Sequence, residues 1–311
     1  MIISASRRTD IPACYADWFF RRLEEAYVCV ANPFNPRSIS RISLEADVVD
    51  AIVFWTKNPI PMLSRLGALS AYPCLYQFTL TPYGRDLETG LPDKETQLLP
   101  AFRALAKAVG PERVVWRYDP ILFTDVYTPA WHLSAFSHYA AELSGCTQRV
   151  IISFVDLYVK TRKNLQATAL TQPAPEELIS FASSLRACAQ QHGMTMQTCA
   201  EEIDFAAAGI PHGACIDQAL LERIIGAPLQ IPRHSGQRSA CLCAESIDIG
   251  AYDTCTNGCR YCYANTSAAS IAAHRRIYDP DSPILCRTIT PEDIVRERRC
   301  VSLRKDQYTF F

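Results

Sequence analysis

Half of the fourteen cysteines in this 311-residue chain lie between Cys199 and Cys262. The tightest group is Cys255, Cys259 and Cys262, spaced C-x3-C-x2-C around Gly258. Glycine lets such a loop curl, and thiolates suit soft metals and iron–sulfur clusters. Three thiolates on one short loop can wrap one face of a [4Fe–4S] cluster. They leave its fourth iron open to a substrate or cofactor, whereas four thiolates close the site. A zinc site or plain core cysteines are the bland alternatives. Cys199, Cys215, Cys241 and Cys243 form a second candidate set, for another iron–sulfur cluster or a zinc ion. The C-x-C spacing of Cys241 and Cys243 is less typical of zinc ribbons and favours iron–sulfur. Cys14, Cys29, Cys74, Cys146 and Cys188 are scattered and read as core residues.

A second group of polar residues recurs just after short apolar runs. Arg7, Arg8 and Asp10 follow Ile2–Ser6, and Lys57 follows Ala51–Trp55. Arg117 and Asp119 end the run that starts at Arg113, Asp156 follows Arg149–Val155, and Glu201 follows Met194–Thr198. Cations with a few carboxylates suit an anionic or zwitterionic ligand. Arg117 is the strongest single candidate, because an unpaired guanidinium in an apolar strand would be costly. Each of these residues could alone be a solvated loop residue or a helix cap.

The elements that must position these groups follow from periodicity. Strands are predicted at Ile2–Ser6, Val28–Ala31, Ala51–Trp55, Leu75–Leu80, Arg113–Arg117, Arg149–Val155 and Met194–Thr198. Continuous apolar runs such as VIISFV over 150–155 suit strands buried on both faces. Amphipathic helices are predicted at Tyr15–Ala26, Thr96–Val109, Pro129–Ser144 and Pro175–His192. Six or seven βα units favour an α/β fold, a TIM-type (β/α) barrel, complete or partial, over a sandwich, with a doubly wound open sheet as the alternative. In such a fold the C-terminal strand ends share one rim. The expected division is a barrel over 1–235 and a cysteine-rich cluster-binding segment over 236–311 that closes it. The Gly226–Arg238 tract is the candidate linker.

Charged residues make up 20% of the chain and the net charge is −1, so no global pull toward nucleic acid or membrane exists. No run of about 20 apolar residues occurs and MIISASRRTD has no signal-peptide pattern, so a cytoplasmic location is expected. No glycine-rich nucleotide fingerprint follows a strand. A local basic tail at Arg296, Arg298, Arg299, Arg304 and Lys305 keeps a nucleic-acid repair or modification role open, without support from the net charge of −1.

The C-x3-C-x2-C loop, with Tyr261 just before its last cysteine, resembles the signature of radical S-adenosylmethionine enzymes. The resemblance implies a [4Fe–4S] cluster on Cys255, Cys259 and Cys262 and S-adenosylmethionine on the open iron. It implies a 5′-deoxyadenosyl radical that abstracts hydrogen, and a one-electron reductant such as flavodoxin or ferredoxin. It also implies a β/α barrel. In that superfamily the loop follows the first strand, whereas here it comes late. A circular permutation would reconcile the two, with Ser246–Tyr252 supplying the preceding strand. No Gly-Gly-Glu segment is recognisable.

At whole-chain level the sequence resembles the domain of unknown function 1848 family, through ISASRRTDIPA, VFWTKNP, QFTLTPYG, WRYDPI, ISFVDLY and the final CRYCYAN. That family brings no known substrate. The expected roles are substrate chemistry for Lys57, Arg117, Asp119 and Glu201, and cofactor binding for Arg7, Arg8 and Tyr261. The competing expectation is a zinc-dependent barrel hydrolase or zinc-stabilised binding protein. That protein would be colourless rather than brown.

Overall fold

The chain is seen in a computed structural model that describes residues 1–166, 168–232 and 240–305. Its strands are β1 (Ile2–Ala5), β2 (Tyr27–Asn32), β3 (Asn35–Ser43), β4 (Ala51–Thr56), β5 (Cys74–Thr79) and β6 (Val114–Ile121). They continue with β7 (Arg149–Phe154), β8 (Thr195–Cys199), β9 (His212–Gly213), β10 (Ile247–Asp248) and β11 (Ile294–Glu297). The helices are α1 (Ile11–Cys14), α2 (Ala16–Glu24), α3 (Leu99–Val109), α4 (Pro129–Glu142), α5 (Val159–Asn164), α6 (Pro175–Gln191), α7 (Gln218–Ile225) and α8 (Ala268–Arg276).

Eight strands form one parallel sheet in the order β10-β1-β4-β5-β6-β7-β8-β9, and the protein is α/β. β10 lies inside the Ser246–Tyr252 tract and pairs with β1, Ile3 opposite Ile247 and Ser4 opposite Asp248. Among the described residues β10 and β9 are the edge strands. The predicted strand at Val28–Ala31 exists as β2 but belongs elsewhere, in a three-stranded sheet ordered β11-β3-β2. The cause is local. The connection from Asn32 to Asn35 is too short for a parallel crossover, so β2 pairs antiparallel with its successor. Asn32 holds that turn by accepting from Phe34 N at 2.8 Å.

Alternation along the strands divides the core in two. Ile3, Ile52, Phe54, Tyr76, Phe78, Trp116, Tyr118 and Ile152 pack with Phe19, Phe102, Phe136 and Leu185 of the surrounding helices. Their neighbours Ile2, Val53, Leu75, Val115 and Ile151 face the other way and pack with Leu220 and Leu221 of α7. Full burial of each such side chain stabilises the fold by about 1.5–3 kcal/mol. Two residues further along this second face, β1, β5, β6 and β7 turn polar at Ser4, Gln77, Arg117 and Ser153, while β4 places Trp55 there. The face that is core at the strand starts is therefore chemistry at their ends.

The helices begin where the sequence caps them. Asp10 accepts from Ala13 N at 3.0 Å before α1, and Thr128 accepts from Trp131 N at 3.2 Å before α4. The helix expected over Tyr15–Ala26 is present as α2, and the short α1 before it was not expected. The expected boundary near residue 235 and residues 233–238 of the linker tract lie outside the described residues. The chain beyond them adds β10 to the main sheet and β11 to the small one. No helix among the described residues is long and apolar enough to cross a membrane.

Candidate functional site

The loop carrying Cys255, Cys259 and Cys262 is shaped by a segment of chain that follows β5. Gly90 N donates to Asn257 O at 3.0 Å, Arg260 N to Leu87 O at 2.9 Å, and Thr89 Oγ1 to Gly258 O at 3.2 Å. Glu88 and Cys259 form an antiparallel bridge. Gly258 turns the loop at φ 68°, a conformation that favours glycine. A side chain at Gly90 would place Cβ 2.5 Å from Thr256 O, so only glycine permits this approach.

Three buried polar anchors fix the loop from the sheet side. Asn257 Nδ2 donates to Asp10 Oδ2 at 2.8 Å, and Tyr15 Oη donates to Thr254 O at 2.5 Å. Tyr261 Oη donates to Glu88, which also accepts from Lys57 Nζ and Thr81 Oγ1, both at 2.8 Å, and from Lys94. Glu88 is fully buried, and burial alone would raise its pKa. Lys57 and Lys94 reverse this and hold it at about 2.

The three cysteines line a cavity of about 600 Å³ at the C-terminal ends of the parallel strands. Arg7, Arg8, Lys57, Arg117, Asp119, Glu201, Tyr261 and the set Cys199, Cys215, Cys241 and Cys243 line the same cavity, as do Asp10 and Asp156. Cavities of this size hold small-molecule ligands. A larger cleft of about 810 Å³ lies beside α4 and α6, lined by Phe123, Leu133, Pro173 and Phe181. Its titratable groups are Glu176 and Glu177, so it lacks the reactive set found at the strand ends.

Within the cavity the cations are organised by one aromatic ring. The guanidiniums of Arg7 and Arg117 sit 5.0 and 5.3 Å from the Trp55 ring. Arg117 Nη2 pairs with Asp119 at 2.5 Å, and Ser153 donates to the same carboxylate. Arg8 lies 5.3 Å from the Tyr252 ring and 3.9 Å from Asp248. Glu201 accepts from Phe154 N at 2.8 Å. Burial pushes its carboxyl up to about 7, so it can exchange a proton near neutrality.

Cys255, Cys259 and Cys262 offer the cavity three thiols, the donor type that iron–sulfur clusters take. A cluster spreads its thiolates over separate irons, whereas zinc draws all its donors to about 2.3 Å of one point. Burial holds the Cys259 thiol up at about 12, against the pull of Lys57, and also raises Cys262. Ligation must therefore release protons.

Several residues of the site carried no sequence signal. Cys14, expected in the core, is half-buried against the loop. Its Sγ lies 3.3 Å from Thr256 Oγ1, and it hydrogen-bonds to Cys255. Asp248 accepts from Ser6 Oγ at 2.6 Å, Arg7 N at 2.8 Å and Ser4 Oγ at 3.0 Å, and so ties β10 to β1. Asn257 acts through Asp10 and Gly90, and Glu88 joins its neighbours Thr81 and Lys94 to the distant Lys57 and Tyr261. The basic residues at 296–305 do not line the cavity. No curated protein matches the chain. The family described as a domain of unknown function, DUF1848, matches over residues 2–264, and the chain belongs to that family.

Proposed function

We propose that this protein is a radical S-adenosylmethionine enzyme in which Cys255, Cys259 and Cys262 hold a [4Fe–4S] cluster. The observation that carries this reading is a shared cavity. Three thiols with ligand spacing, and no fourth on their loop, open into the same space as Lys57, Arg117, Asp119 and Glu201. When bound, the cluster supplies one electron for cleavage of S-adenosylmethionine into methionine and a 5′-deoxyadenosyl radical.

The chain's own residues do the rest. Arg8 offers a charge-assisted donor to a carboxylate at the mouth. Tyr261, committed to Glu88, orients the loop rather than touching the cofactor. The Arg117–Asp119 pair presents a fixed dipole to a small anionic or zwitterionic substrate, and Glu201 gives or takes a proton beside it. The finer architecture in this reading is a circularly permuted β/α barrel, with β10 as the strand that leads into the loop. A flavodoxin- or ferredoxin-type reductant and a cytoplasmic location complete it.

The test is anaerobic purification with iron and sulfide analysis, then addition of S-adenosylmethionine and dithionite. Release of 5′-deoxyadenosine, abolished by Cys255→Ala, Cys259→Ala or Cys262→Ala, supports the reading. A fully loaded protein that releases none overturns it.

A further inference from the structure

We infer that Cys199, Cys215, Cys241 and Cys243 form a second iron–sulfur centre, closed by four thiolates and facing the first across one cavity. Three separate stretches of chain bring these sulfurs together. Cys199 ends β8, Cys215 follows β9, and Cys241 and Cys243 precede β10. Cys199 Sγ lies 2.7 Å from Cys215 Sγ. Cys243 Sγ accepts from Cys215 N at 3.3 Å and Ile216 N at 3.4 Å, the kind of backbone N–H donation that steadies a sulfur ligand.

The cations around the four sulfurs point to bound thiolates rather than free thiols. Arg117 Nη1 donates to Cys215 Sγ at 2.7 Å, although a neutral thiol is a weak acceptor. Arg7 has Cys243, Cys215 and Cys241 among its electrostatic neighbours, and its Nη2 is buried without a hydrogen-bond partner. Buried guanidiniums demand negative charge. Asp119 meets part of Arg117's demand and Asp248 lies near Arg7, but Arg7 Nη2 is left without an acceptor. Four thiols that give up their protons to a metal supply the missing charge, with no change of oxidation state in the protein. The four thiols form a hydrogen-bonded chain, Cys199 to Cys215, Cys215 to Cys243 and Cys243 to Cys241. An iron–sulfur cluster, which takes its thiolates on separate irons, fits the C-x-C spacing.

This inference stands whether or not the Cys255 loop holds a cluster, and the test separates the two. The full chain carrying Cys255→Ala, Cys259→Ala and Cys262→Ala together is purified anaerobically and assayed for iron, sulfide and zinc. Retained iron with sulfide supports the second centre, and zinc in its place overturns it. In the complementary Cys241→Ala/Cys243→Ala protein that increment of iron disappears and the rest stays. Alkylation gives a readout independent of folding defects in the variants. In the wild-type protein Cys241 and Cys243 resist iodoacetamide until a chelator is added. A folded triple variant free of iron and zinc, or wild-type cysteines that alkylate equally with and without chelator, would overturn it.

Discussion

Asn257 donates its side-chain amide to the carboxylate of Asp10 at 2.8 Å, across 247 positions of sequence. The same Asp10 Oδ2 accepts Lys57 N at 2.7 Å, and Oδ1 accepts Ala13 N at 3.0 Å. One buried carboxylate thus ties together the turn after β1, the end of β4 and the cysteine loop. Asp10→Asn keeps the shape but sets an NH2 group against donors. The expected loss is about 1–3 kcal/mol, the desolvation cost of unsatisfied buried donors. Asn257→Ala should cost about 1 kcal/mol and lower the iron bound per chain, because the loop loses its anchor. Urea unfolding at pH 7 and iron analysis check both. Unchanged iron in Asn257→Ala would show that the tie does not shape the loop.

Glu88 is the counter-ion of two lysines and the acceptor of Tyr261. Glu88→Gln leaves Lys57 and Lys94 buried without a carboxylate, a change expected to cost about 3–5 kcal/mol. Tyr261→Phe removes one donor and should cost about 1 kcal/mol while the fold persists. Glu88's pKa in the fold, about 2, lies below its ordinary 4.5. Its contribution is therefore complete above pH 4.5 and is lost as the pH falls from 4.5 toward 2. Urea midpoints should drop across that window in wild type and much less in Glu88→Gln.

His132 adds a second acid-labile group at higher pH. It lies fully buried in α4, with Nε2 2.9 Å from Leu122 O and Nδ1 2.8 Å from Tyr118 Oη. The carbonyl requires Nε2 to carry the proton, so Nδ1 accepts from the tyrosine in a neutral ring. Burial lowers its pKa from 6.5 to about 4, opposed only by the Leu122 carbonyl. The folded state thus binds the proton less well than the unfolded chain. Stability is complete above about pH 6.5 and falls as the pH drops to 4, by something on the order of 3 kcal/mol. His132→Asn should flatten the slope between pH 6.5 and 4. An unchanged slope would place the acid sensitivity elsewhere.

Most strands of the main sheet were legible because burial on both faces leaves continuous apolar runs, as in β4 and β7, but the two-residue β9 was not. The polar residues at their ends were legible for the same reason, since Arg117 and Lys57 interrupt such runs. Sheet membership was not. The run at Val28–Ala31 reads the same whether it pairs with β1 or with β3, and only the short turn at Asn32 decides. β3 itself, NPRSISRIS, is polar and partly exposed and gives no apolar signal. Glu88 sits in a loop without periodicity, and its meaning comes from Lys57 and Tyr261, far along the chain. Cys14 looked like core because a lone cysteine usually is.

Cys14 decides whether the cluster site is open. It hydrogen-bonds to Cys255 and reaches Thr256 Oγ1 at 3.3 Å, yet it is absent from the lining of the cavity. A residue behind a ligand supports its position, whereas a fourth ligand would close the cluster and exclude a bound cofactor. Cys14→Ala is therefore expected to keep its iron and sulfide, with a stability loss of about 1 kcal/mol from the missing contact. Cys255→Ala should lose its cluster. Anaerobic iron and sulfide analysis of the two variants, with thermal midpoints, makes the comparison. If Cys14→Ala loses its cluster as completely as Cys255→Ala, four thiolates hold it. The site would then have no open iron, and electron transfer rather than cofactor cleavage would be its role.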